Sequence, residues 1–285
     1  MHKVRSVVEV SCNLLRKSLN VRVLSLLALS GLMMLRWASP VRAVCTDYQV
    51  AASPLALFVY TVNDSWLPVY FSLGWLVIIS GAPFLDAQQP YLLLRCGRYR
   101  WCVGQMLYLL EMSVLYTMWL FLVCLLTLAG HWTWDLQWDI VFRSLARQSS
   151  LGITYGVYLY MPVQLQTAYT LPQAFWGTFC LTACLYCFLG MFVFLLNLLT
   201  GGHWGVYVAG GFVMMGLTAN VSLLPFWTYY LSPFALANLN MLDPYGTSVL
   251  PSLTYANTFF LAGLFFMAAG SLLAMRGRPI RFAAA

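Results

Sequence analysis

Cys180, Cys184 and Cys187 carry the C-x3-C-x2-C spacing with which radical-SAM enzymes hold an iron-sulfur cluster. That chemistry needs thiolates on a loop, whereas here all three fall in one unbroken apolar stretch. At i, i+4 and i+7 they share a helical face, where free cysteine behaves as a small hydrophobe. His2, His131 and His203 sit far apart, with no H-E-x-x-H pair to bind zinc. There is no G-x-S-x-G nucleophile elbow, and no glutamate pair with a later histidine. Glu111 is the one carboxylate well inside an apolar stretch, which by default marks a functional group. Arg100, Gln105 or nearby backbone are its expected partners. No G-x-x-x-x-G-K-[ST] loop occurs, so the chain lacks P-loop binding of ATP and is expected to need no cofactor of its own. Nothing here assembles a catalytic constellation, and the expectation is that the chain is not an enzyme.

The stretches that position these residues are long and greasy. Hydrophobic residues make up 61% of the 285, charged residues 8%, and the mean hydropathy is +0.77. A soluble domain of this size has no way to hide so much apolar surface. A hydrocarbon core about 30 Å thick calls for about 20 apolar residues per helix. Such stretches lie at 21–38, 67–85, 105–130, 174–200, 205–224 and 255–275. The predicted fold class is therefore an all-α integral membrane protein with six transmembrane helices in a single domain.

The charges orient it. Net charge is +7, but the basic residues form no single face that could track phosphates, which argues against nucleic acid. With six spans both termini share a side. Lys3, Arg5, Arg16, Lys17, Arg22, Arg276, Arg278 and Arg281 then join Arg95, Arg98 and Arg100 there, and only Arg36, Arg42, Arg143 and Arg147 lie opposite. By the positive-inside rule both termini are cytoplasmic. The shorter apolar runs 51–62 and 151–161 are expected to be external or re-entrant. Arg36 and Trp37 interrupt the first apolar run ahead of any small-residue cleavage site, so the first span is read as retained.

Between the spans, residues 3–19 put Val4, Val7, Val8, Ser11, Leu14 and Leu15 on one helical face and Arg5, Glu9, Asn13, Arg16 and Lys17 on the other. This predicts an amphipathic helix at the inner interface, within a segment spanning 1–20. The inner loop 86–104 contains Asp86, Arg95, Arg98, Arg100 and Trp101. It either presents guanidinium groups to an acidic groove on another protein or simply holds the loop inside. In the outer loop 131–173, Trp134, Trp138, Val141, Phe142 and Leu145 recur at helical spacing and predict a second interfacial helix. Gly201, Gly202, His203 and Trp204 form a tight inner hairpin. Glycines and alanines in the last two stretches allow close helix contact, and Asn197 and Asn220 read as interhelical hydrogen-bond glue.

With its elbow, basic inner loop, short hairpin and the aromatic Trp227–Pro233 stretch containing Ser232, the chain resembles the permease subunit of ABC transporters of the type-2 permease family. The resemblance covers nearly the whole length. It implies two permease chains in a bilayer, identical or different, paired with a separate P-loop ATPase that binds the ATP. Asp86, Arg95, Arg98, Arg100 and Trp101 would couple to it. It also implies an exporter in a bacterial cell membrane, and the outer loop resembles those of peptide-antibiotic export and immunity systems. A peptide, antibiotic or lipid-like substrate follows from that likeness. The rival reading is a secondary transporter or channel that works without ATP and uses Glu111 as its ion-coupling group.

Overall fold

Apolar runs punctuated by Asn, Pro and Gly become helices separated by short turns. The computed structural model describes residues 2–84, 89–220 and 225–277. Its helices are α1 (His2–Ser18), α2 (Val21–Tyr48), α3 (Pro54–Val62), α4 (Leu67–Ile79), α5 (Gln89–Cys96), α6 (Arg98–Thr127) and α7 (Ile140–Arg147). They continue as α8 (Ser149–Tyr155), α9 (Val163–Ala168), α10 (Leu171–Thr200), α11 (Trp204–Asn220), α12 (Trp227–Leu231), α13 (Pro233–Leu236) and α14 (Leu253–Gly277). Among the described residues β-structure is confined to two isolated bridges, Ala52 with Trp132 and Asp243 with Ser252.

Four helices, α2, α6, α10 and α14, are long and apolar enough to cross a membrane. The first runs further than expected. Asn20 caps it through its side chain on the Val23 amide, and it passes through Pro40 to Tyr48, where Gln49 at φ 53° ends it. Its 28 residues extend about 42 Å, longer than the about 30 Å of hydrocarbon. Pro40 has no N–H for the Arg36 carbonyl, and the Ser39 hydroxyl takes that carbonyl at 3.2 Å instead.

The second expected span, 67–85, is helical only as α4, from Leu67 to Ile79. The 51–62 run forms α3, and α4 follows after a bend of 79°. Together they count as one broken or re-entrant span, a fifth. All but one of the nine α3 residues are buried. The fifth expected span, 205–224, corresponds to α11, whose 17 residues fall short of a full crossing; its predicted end, 221–224, lies outside the described residues.

Side-chain clamps sort the helix ends. The Arg22 guanidinium donates to the Val77 carbonyl and the Ser80 hydroxyl, joining the start of α2 to the end of α4. Asn197 Nδ2 donates to the Ala82 carbonyl at 2.7 Å, and its Oδ1 accepts from the Gly205 amide at 2.8 Å, so it closes the α10–α11 hairpin onto the end of α4. Gln105 grips both the N–H and the C=O of Phe84. These contacts gather the start of α2, the end of α4, the start of α6 and the α10–α11 turn at one end of the bundle. At the other end Ala52 exchanges backbone bonds with His131 and Thr133.

The centre is an aromatic wedge. Trp75, Tyr116 and Tyr186, from α4, α6 and α10, lie with ring centroids 5.1–5.5 Å apart. Trp75 Nε1 donates to the Tyr186 carbonyl and the Tyr116 hydroxyl to the Phe71 carbonyl. In a membrane core such pairing is obligatory, because no water replaces a missing partner. Gly263 lets α14 approach α10 closely: a Cβ there would stand 2.6 Å from the Phe188 ring.

Candidate functional site

The basic segment expected at 86–104 is two elements rather than one loop. Arg95 lies on α5; Gly97, at φ +81°, breaks the chain; Arg98 and Arg100 then occupy the first turn of α6. Arg95 and Arg98 are exposed and Arg100 is half-buried. Asp86 lies outside the described residues. Trp101, expected beside the arginines on a docking surface, is fully buried. Helical geometry accounts for this, since Trp101, Gln105, Tyr108 and Met112 share the inward face of α6. What remains accessible is a small guanidinium surface in which Arg98 and Arg100 face the positive end of a helix dipole. Each such placement costs about 0.3–1 kcal/mol unless an anion compensates.

Glu111 is half-buried, and its Oε2 accepts a hydrogen bond from the Ser11 hydroxyl of α1. The partners expected from sequence were Arg100, Gln105 or local backbone; Gln105 is instead engaged with Phe84. The amphipathic helix was expected at the interface, and in the structure it lies against α6. Val10 and Leu14 are buried there, and Gly104 gives Val10 room.

The bend between α3 and α4, absent from the candidates above, holds a dense set of polar contacts. Asn63 Nδ2 donates to the Val59 carbonyl and to Thr178 Oγ1, both at 2.8 Å. Its Oδ1 accepts from the Leu239 amide at 2.7 Å, and its carbonyl accepts from the side chains of Asn238 and Asn240. Asp64 accepts from the amides of Trp66, Leu67 and Tyr160. Both side chains are almost completely buried. Their signal in the sequence is an Asn-Asp pair directly between two apolar runs, which resembles an ordinary loop.

The 131–173 segment also differs from expectation. Its amphipathic helix begins only at Ile140, where Asp139 caps it on the Phe142 amide at 3.0 Å. Val141, Phe142 and Leu145 are buried against protein, with Phe142 stacked on Tyr60 at 5.5 Å. Asp139 also accepts from the Ser53 amide at 2.7 Å, joining this segment to α3. Burial pushes the Asp139 carboxyl above its ordinary value of 3.8, although these hydrogen bonds and the Arg143 charge pull it down.

Cys180, Cys184 and Cys187 grade from exposed to buried along α10. Among the described residues no three His, Cys, Asp or Glu side chains gather into a metal-binding group. Comparison with protein-family models, with curated proteins and with solved structures returned no match.

Proposed function

We propose that this chain is the permease subunit of an ATP-driven exporter of the type-2 ABC permease class, with both termini on the cytoplasmic side of a bacterial cell membrane. In this reading α2, the α3–α4 pair, α6, α10, α11 and α14 make six crossings. A separate ATPase binds ATP and drives an outward-moving substrate, a peptide, antibiotic or lipid-like molecule, through a pair of permease chains. The single observation carrying the proposal is the α5–α6 junction, where Arg95 and Arg98 are exposed with Arg100 beside them. Two of these cations are set against a helix dipole, at the end of the bundle that also holds Arg22 and the α10–α11 turn. An acidic groove on an ATPase would relieve that repulsion and give the guanidinium groups directional partners.

The rival reading, an ATP-independent transporter coupled through Glu111, is weakened by the Ser11 contact, which gives that carboxylate a structural task. Affinity purification of the tagged chain from its native membrane separates the two. Under the proposal a P-loop ATPase co-purifies in stoichiometric amount and is lost when Arg95, Arg98 and Arg100 are all replaced by Gln. A chain that purifies alone, with transport abolished by Glu111→Gln, would establish the rival.

A further inference from the structure

At the opposite end of the bundle from the α5–α6 junction, a cleft of about 450 Å³ opens between α7, α9 and the start of α10. Its lining includes Arg143, Arg147, Gln137, Gln173, Thr167 and Tyr169, and no Asp or Glu contributes to it. Arg143 and Arg147 stand at i and i+4 on α7, a like-charge spacing that disfavours the helix unless something neutralises it. Arg143 is held in place, its Nε donating to the Trp138 carbonyl at 2.6 Å, which leaves its Nη donors uncommitted. Arg147 has no hydrogen-bond partner among the described residues. Two carboxylates act on this region from outside the lining: Asp139, which feels the Arg143 charge and accepts from the Ser53 and Phe142 amides, and Asp243, which acts on Tyr169 and accepts from the Tyr245, Gly246 and Ser248 amides.

The surroundings set the depth of this cleft. Leu136 in its lining is exposed, as are Ile140 at the start of α7 and, in the segment leading into the lining, Trp132 and Trp134 with centroids 6.2 Å apart. Exposed tryptophans flanked by aliphatic side chains are the pattern of a membrane–water interface at headgroup level. A pair of guanidinium groups at that depth, with amide and hydroxyl donors around them, matches the oxygen fork of a phosphate. We propose that Arg143 and Arg147 seat the phosphate of an anionic phospholipid headgroup, drawn from the leaflet at this end of the bundle. The proposal requires only that the chain sits in a bilayer and is independent of any ATPase.

The test is native mass spectrometry of the purified full-length chain in detergent, titrated with short-chain phosphatidylglycerol, with phosphatidylcholine and, separately, with inorganic phosphate. The wild-type chain should retain phosphatidylglycerol in preference to phosphatidylcholine. Arg147→Gln, whose side chain is exposed and holds nothing else in place, should lose one bound phosphatidylglycerol with affinity reduced about tenfold or more. Arg36→Gln, an exposed cation on α2 outside the cleft, should leave binding unchanged. Undiminished phosphatidylglycerol binding by a folded Arg147→Gln protein would overturn the proposal. Inorganic phosphate binding more tightly than the lipid, with the same dependence on Arg147, would overturn the headgroup as the source and assign the cleft to the free ion.

Discussion

The hydroxyl of Ser11 donates to the carboxylate of Glu111, tying the N-terminal amphipathic helix to the middle of α6 across 100 residues of sequence. A side-chain hydrogen bond of this kind contributes about 0.5–3 kcal/mol, depending on partner and burial. Ser11→Ala should therefore destabilise the protein by about 1–2 kcal/mol in detergent, read as a lower thermal midpoint. An unchanged midpoint would mean that α1 is held by its apolar face alone.

Gly104 supports the same contact from the other side. A Cβ there would stand 2.7 Å from Cβ and Cγ1 of Val10 and 3.1 Å from the Val7 carbonyl, so α1 must shift outward. Gly104→Ala should cost about 1–3 kcal/mol, the range for overpacking. Because the shift would also break the Ser11 bond, the double variant Gly104→Ala with Ser11→Ala should cost less than the sum of the two. Strict additivity in a double-mutant cycle would refute this coupling.

At the α3–α4 bend, Asn63→Leu would leave the Leu239 amide and Thr178 hydroxyl without their partner in a buried site. Each orphaned group costs about 1–3 kcal/mol, so a loss of about 3–5 kcal/mol is expected. Asn63→Asp keeps an acceptor for Leu239 but loses the two donated bonds, and should fall between. Equal stability of both variants with the wild type, by thermal or denaturant unfolding, would contradict the hub.

The arginines of the α5–α6 junction and their neighbour Trp101 should separate cleanly. Arg95→Gln and Arg98→Gln alter exposed side chains and should change stability by no more than about 0.5 kcal/mol while weakening capture of the ATPase. Trp101→Ala removes a wholly buried indole and should cost about 3–5 kcal/mol. Loss of ATPase capture in the arginine variants only after the fold has failed would remove the support for a docking role.

Asp139 gives a pH dependence with a definite sign. Its carboxyl is raised above 3.8 in the folded chain, so its protonated form is the one folding favours. That contribution is complete below about 3.8 and is lost as pH rises through the higher folded value. Relative to Asp139→Asn, the wild type should therefore lose stability as pH rises from about 3.8 through the higher folded value. Parallel thermal midpoints for the two proteins across that range would show that Asp139 is not strained by burial.

Much of the architecture is legible in the chain because hydropathy reports lipid-length helices directly. The runs at 105–130, 174–200 and 255–275 match α6, α10 and α14 to within a few residues, apart from the early start of α6. Other boundaries were hidden. Pro40 and two arginines mask the outer part of α2, since sequence alone does not reveal that Ser39 takes the carbonyl left free by the proline. The 67–85 run reads as one span, yet α4 has only 13 residues, and its missing length lies in α3 beyond a polar bend. The inward turn of Trp101 and the bond between Ser11 and Glu111 depend on tertiary contact. The Asn63 hub escapes for the same reason: its partners lie 115 and 176 positions away.

Those distances bear on how the chain is made. When α3 and α4 leave the ribosome, neither is long enough to settle across a bilayer, and the Asn63 side chain has only the Val59 carbonyl within its own helix to bond. Thr178 is synthesised more than a hundred residues later, and Leu239 later still. In the membrane reading proposed above, the bend would remain in water or against the insertion machinery until both arrive, because lipid offers its polar atoms nothing. The half-helix α3 would then enter its place last, as the closing act of biogenesis, and a truncated chain ending before Thr178 should leave Asn63 open to water-borne probes.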